Sequence, residues 1–205
     1  MKPTYYLSVD IETDGMCPGV NSMISLGAVM LDEQGTEVGE FSANLEPLGW
    51  PAVQNQETMK WWATQPEAWA AATKDPQMPG VVMHNFRHWC ESFEGRVIFI
   101  GYPVTFDFTF VWYYLWAFTG GSPFTHGGLD IKTMAADALE VDYYDARKSQ
   151  WPPEWHPPEG FHTHVAVEDA REQAYSFLAI RRTLAKRLHP PLTVVLGGPL
   201  PPGMV

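Results

Sequence analysis

The stretch Tyr5-Tyr6-Leu7-Ser8-Val9-Asp10-Ile11-Glu12-Thr13-Asp14-Gly15 decides most about this chain. Tyr5 to Val9 is a short run of β-formers, and Thr13-Asp14-Gly15 has the composition of a turn. Between them, Asp10 and Glu12 stand two apart at the strand's end, so both side chains point to one face. Two carboxylates on one face repel, and their neighbours Val9 and Ile11 are apolar, so burying the pair without a partner is costly. A divalent cation with oxygen ligands resolves the conflict, and Mg²⁺ or Mn²⁺ suits an all-oxygen site. A lone D-x-E is more often simply the end of a solvated strand followed by a turn, and so short a motif does not by itself establish a metal site.

Working outward, Met23 to Leu31 and Glu37 to Leu45 read as two further strands, joined by the turn-like Asp32-Glu33-Gln34-Gly35. Helical patterns follow over Gln56 to Thr64, Pro66 to Lys74 and Pro79 to Phe93, each with a start signal. RVIFIGY, residues 96–102, reads as a buried strand, and Phe106 to Phe118 as a strongly apolar helix. Asp130 is placed to cap a helix running through Leu139. Residues 141–163 hold five Pro/Gly positions beside Trp151 and Trp155, which predicts a long loop. Ala166 to Leu188 is the last helix, with an apolar stripe through Val167, Ala170, Ala174, Phe177 and Leu178. A meander followed by alternating strands and helices predicts an α/β domain, a mixed sheet with helices on its faces. The domain is expected over 1–188, with a poorly ordered Pro/Gly-rich tail over 189–205.

Composition narrows the class. The 205 residues fit one globular domain, with 45% hydrophobic and 18% charged residues. No apolar run approaches ~18 residues, so no membrane span is expected. The N-terminus lacks a signal-peptide pattern, and Cys17 and Cys90 are too few for a disulfide framework or a thiolate zinc site. A cytoplasmic protein is the expectation. The net charge of −11 argues against a broad phosphate-binding surface. The one dense basic cluster, Arg181, Arg182, Lys186 and Arg187, could hold phosphates or a partner subunit, but reads first as a solvated helix end.

Three more residues complete a constellation. Asp107 opens the apolar helix, where a carboxylate is stabilised by the helix N-terminus. His164 and Asp169 are five apart, ~140° around a helix, so they share a site only if His164 lies on the preceding loop. A histidine on such a loop is suited to general-base work. Alone, each has a blander account, as a helix-start acid or a loop histidine.

Taken together, the residues resemble the DEDDh branch of the DnaQ-like 3′–5′ exonucleases, over about Thr4 to Leu188. Asp10-Ile11-Glu12-Thr13-Asp14-Gly15 matches D-x-E-T-x-G, Phe106-Asp107 opens the second motif, and His164 to Ala170 matches H-x-A-x-x-D-A. Glu57 to Gln65 looks like the small bacterial exoribonucleases and phage exonuclease A. The tyrosine branch is disfavoured because Val165 occupies its tyrosine position. A departure stands before the second motif, where Tyr102-Pro103 replaces the His-Asn that many members carry.

The resemblance implies an RNase H-like fold with a mixed five-stranded sheet. It implies catalysis by Asp10, Glu12, Asp107, His164 and Asp169, the four acids holding two divalent ions, Mg²⁺ or Mn²⁺. The partner is a nucleic acid with a free 3′ end, a short single strand or overhang, cut to 5′-nucleoside monophosphates. Thr13 and Gly15 match positions that meet the terminal nucleotide. Trp61, Trp62, Tyr102 and Phe106 are candidate base-stacking residues. RNA and DNA both remain open, as does a homodimer. Two other classes compete: a non-catalytic nucleic-acid-binding or partner-recruiting subunit, and a metal-dependent phosphohydrolase of small nucleotides.

Overall fold

Alternation along the first strand sets one hydrophobic core on each face of the sheet. In the computed structural model, which describes residues 2–157 and 164–188, β1 spans Thr4–Thr13. Leu7, Val9 and Ile11 point to one side, and Tyr6, Ser8, Asp10 and Glu12 to the other. β2 (Met23–Leu31) and β3 (Glu37–Asn44) complete an antiparallel meander. Helices α1 (Gln56–Trp62), α2 (Pro66–Ala72) and α3 (Pro79–Glu91) lead to β4 (Arg96–Gly101), which runs parallel to β1. Then come α4 (Val104–Thr119), the short parallel strand β5 (Gly128–Asp130), α5 (Ile131–Leu139) and α6 (Ala166–Leu188). The sheet order is β3-β2-β1-β4-β5, the mixed sheet flanked by helices that the sequence pattern predicts, with the five strands that the family resemblance implies.

Leu7, Val9 and Ile11 pack with Val82 and Phe86 of α3 and with Phe110 and Tyr114 of α4. On the opposite side, the rings of Tyr6 and Phe177 of α6 lie 5.1 Å apart, within a second core that contains Trp151 and Trp155. β2 is buried along its whole length because it is covered on both faces, and so it reads as a continuous apolar run.

Two boundaries differ from the sequence expectation for tertiary reasons. β1 continues past Val9 because Asp10, Ile11 and Glu12 pair with Gly27, Leu26 and Ser25, and the ladder slips only after Glu12. α4 starts two residues before Phe106, because Asp130, 26 residues on, accepts the Val104 amide hydrogen at 2.9 Å. Residues 141–157 form a loop with two short 3₁₀ turns. Its tryptophans anchor it, with Trp155 Nε1 donating to Thr183 and the Trp155 carbonyl accepting from Ser176. No helix among the described residues is long and apolar enough to cross a membrane. The expectations for 189–205, and for the part of the loop at 158–163, fall outside the described residues.

Candidate active site

Asp10 and Glu12 project from the last turns of the β1 pleat, Asp107 from the first turn of α4, and His164 and Asp169 from the entry to α6. All five line one cleft of about 420 Å³, together with Met16, Tyr102 and Phe106. Oxygens of Glu12 and Asp169 and a ring nitrogen of His164 all lie within 4.8 Å of one another. His164 has φ 51°, in the left-handed region, so the chain turns sharply at this residue before α6 begins. The loop position that the five-residue spacing demands for His164 is therefore the one it occupies.

Close helix–sheet contact brings Asp169 to β1. Ser8 Oγ donates to the Ala170 carbonyl at 2.7 Å. A Cβ on Gly27 of β2 would lie 2.1 Å from backbone atoms of Ala166 and Val167, so the absence of a side chain there admits the first turn of α6.

Crowding of buried acids dominates the electrostatics. Burial, then repulsion from Asp169, pushes Asp10 up to about 8, while Lys148 and a Gln173 hydrogen bond pull the other way. Burial, then Asp10 and Asp169, pushes Glu12 up to about 9. Asp107 is raised well above the usual carboxylate range by burial and by Asp10. Carboxylates this reluctant to ionise together could hold a hard cation. Gln173 fits that reading, since its buried Oε1 has no hydrogen-bond partner among the described residues while its Nε2 donates to Asp10 Oδ1 at 2.7 Å. An acceptor stranded beside a carboxylate is suited to a hydrated metal.

The other predicted residues separate into two groups. Tyr102 and Phe106 line the cleft. Tyr102 is braced by its hydroxyl on the Ala146 carbonyl, 3.3 Å, and by an edge contact with Trp151. Trp61 is 43% exposed and meets the His164 ring edge-on, centroids 5.6 Å apart. Thr13, Gly15 and Trp62 turn inward. Trp62 Nε1 donates to the Thr13 carbonyl at 2.9 Å, and the Thr13 hydroxyl donates to the Gly15 carbonyl at 2.7 Å. Asn55 caps α1 and donates its own amide hydrogen to the Asp14 carbonyl, which pins α1 to the motif turn. A Cβ on Gly15 would strike the Asn21 side chain at 2.2 Å.

Sequence reasoning missed Met16, Gly27, Lys148 and Gln173. Met16, 68% exposed at the cleft, was signalled only by being an apolar residue straight after a turn glycine. Gln173 was signalled by its spacing, four residues after Asp169 and so on the same helix face. Lys148 and Gly27 gave no local signal.

A mixed sheet in this order, with carboxylates from β1, α4 and α6 meeting at its end, is the RNase H-like architecture of DEDDh exonucleases. The chain belongs to the 3'-5' exoribonuclease Rv2179c-like domain family, which it matches over residues 5–181, and is a 3′–5′ exonuclease enzyme. It is 30% identical to the 3'-5' DNA exonuclease Cap18 of Escherichia coli over 185 residues, covering 89% of this chain and 94% of that protein. In fold it is similar to the nuclease domain of 3'hExo, a DEDDh family member bound to rAMP. That match has a TM-score of 0.61 and 10% identity over 88% of this chain and 92% of the other. It is also similar to E. coli ExoI in its zinc-bound complex with ssDNA, with a TM-score of 0.59 and 15% identity, over 91% of this chain and 41% of the other.

Proposed function

We propose that this exonuclease hydrolyses the terminal phosphodiester of single-stranded RNA or DNA, or of a 3′ overhang, and releases 5′-nucleoside monophosphates. The observation that carries the reading is the meeting of Glu12, His164 and Asp169 within 4.8 Å, in one cleft with Asp10 and Asp107. Two divalent ions, Mg²⁺ or Mn²⁺, supply activation of water and neutralisation of charge on the leaving 3′-oxygen. Asp10, Glu12, Asp107 and Asp169 are the carboxylates that would hold them. His164 would take the proton from the attacking water, a role suited to an imidazole near neutral pH.

Substrate grip comes from the apolar rim. Tyr102, Phe106 and Met16 offer faces to the terminal bases, which any base sequence can use. The family is named for an exoribonuclease and the Escherichia coli relative is a DNA exonuclease, and both substrates present the same scissile phosphodiester and free 3′ end. Two bound cations leave a chain of net charge −11 still negative, so the footprint is a few nucleotides and not a long phosphate track.

The test is a time course on matched single-stranded RNA, single-stranded DNA and 3′-overhang duplexes with Mg²⁺ or Mn²⁺, alongside a nucleoside triphosphate. Stepwise shortening from the 3′ end, abolished by EDTA, is the expected result. Internal cuts overturn the reading. Hydrolysis of the triphosphate alone favours a small-nucleotide phosphohydrolase, and binding without cleavage favours a non-catalytic module.

A further inference from the structure

We propose that Gln173 and Lys148 are positioning residues for Asp10, Gln173 by direct contact and Lys148 through the buried carboxylate of Glu172. This rests on the reading of Asp10 as a metal ligand. Gln173 is buried on the face of α6 that looks onto β1, and its amide nitrogen lies 2.7 Å from Asp10 Oδ1. An ionised carboxylate only accepts, so the nitrogen must be the end that faces it. Fixing one oxygen of a planar carboxylate fixes the direction of the other, which is what a metal ligand needs. The oxygen of the same amide is left beside the carboxylate without a partner among the described residues, an acceptor in place for a donor from the site.

Lys148 reaches this layer from the loop between α5 and α6. Its ammonium lies 2.9 Å from Glu172 Oε1, and Glu172 is only 2% exposed. It also stands over the ring of Tyr102, 5.3 Å from the centroid. Glu172 directly precedes Gln173, so an ion pair at Glu172 holds the helix turn that presents the amide. The ammonium is thus committed to the carboxylate next to Gln173 in the chain.

Calorimetric titration of Mn²⁺ into the substrate-free protein tests both residues. Gln173→Met keeps the volume and removes the amide, and Gln173→Asn keeps the amide but shortens it. Both are expected to weaken Mn²⁺ binding about 10–100-fold, the usual effect of losing an outer-sphere partner, with an unchanged circular dichroism spectrum. Lys148→Met is expected to weaken it as well, and Lys148→Arg to restore it. Folded Gln173 variants that bind Mn²⁺ like wild type overturn the role of Gln173. Tighter binding by Lys148→Met means that Lys148 acts only as a repelling charge, and overturns its positioning role. Failure of wild type itself to bind Mn²⁺ overturns the metal-site reading beneath both.

Discussion

Gly27 of β2 and Val167 of α6 meet so closely that a Cβ on Gly27 would lie 2.1 Å from the Val167 amide nitrogen. Gly27 is also the ladder partner of Asp10. One bare position in the sheet thus lets the helix that carries Asp169 settle next to the strand that carries Asp10.

Gly27→Ala is expected to push that helix away, because the obstructing atoms are backbone and cannot swing aside. Overpacking of this kind costs about 1–3 kcal/mol, read as a lower urea midpoint. Nuclease turnover should fall further than stability explains, by about 10²-fold, since misplacement of ~1 Å is costly in catalysis. A variant with wild-type turnover would show that the contact does not set the site.

Asp10 and Glu12, pushed up to about 8 and about 9, predict an unusual pH dependence. Without a cation, the folded protein keeps protons that the unfolded chain releases above pH ~4, so stability falls as pH rises from ~5 towards ~9. In EDTA, Asp10→Asn should therefore melt above wild type at pH ~8, with the gap closing towards pH ~5. Mn²⁺ should raise the wild-type melting temperature most at the alkaline end and the variant's much less. The variant should have no nuclease turnover. A metal-free wild type whose melting temperature climbs through this range would contradict the crowding of acids.

His164→Ala should lower turnover at least ~10²-fold, the usual worth of a general base. Trp61 lies edge-on to that ring, so Trp61→Ala should lose about tenfold, through a less ordered imidazole, and Trp61→Phe should recover most of it. Single-turnover cleavage with saturating Mn²⁺ separates these effects from substrate binding. Equal turnover in Trp61→Ala and wild type would remove Trp61 from the catalytic arrangement.

A site with few phosphate contacts should be nearly indifferent to salt. The slope of log KM against log[KCl] is expected to be shallow, equivalent to one to three phosphates, by counterion release of ~0.7 per phosphate on single strands. A slope equivalent to six or more would require a basic surface that this acidic chain does not offer in its sequence.

Much of the fold was legible because its signals are local. Alternation through Leu7, Val9 and Ile11 announced a strand with two unlike faces, and it put Asp10 and Glu12 together without reference to any other element. Asp130 was legible as a helix cap, and it accepts the Thr133 amide hydrogen at 2.7 Å as a cap should. Trp61 and Trp62 could be separated only as facing different ways; packing against the Thr13 carbonyl decides that Trp62 goes in and Trp61 out.

By itself, then, the sequence determined the element order, the pairing of Asp10 with Glu12, and the loop position of His164, since each follows from backbone geometry over a few residues. Tertiary structure alone decided that Asp107 shares a cleft with Asp10, that Gly27 admits α6, that Gln173 bonds to Asp10 and that Lys148 pairs with Glu172. The Gln173–Asp10 bond spans 163 residues. Such a contact depends on where a helix crosses a sheet, a matter of packing that no periodicity within either segment encodes.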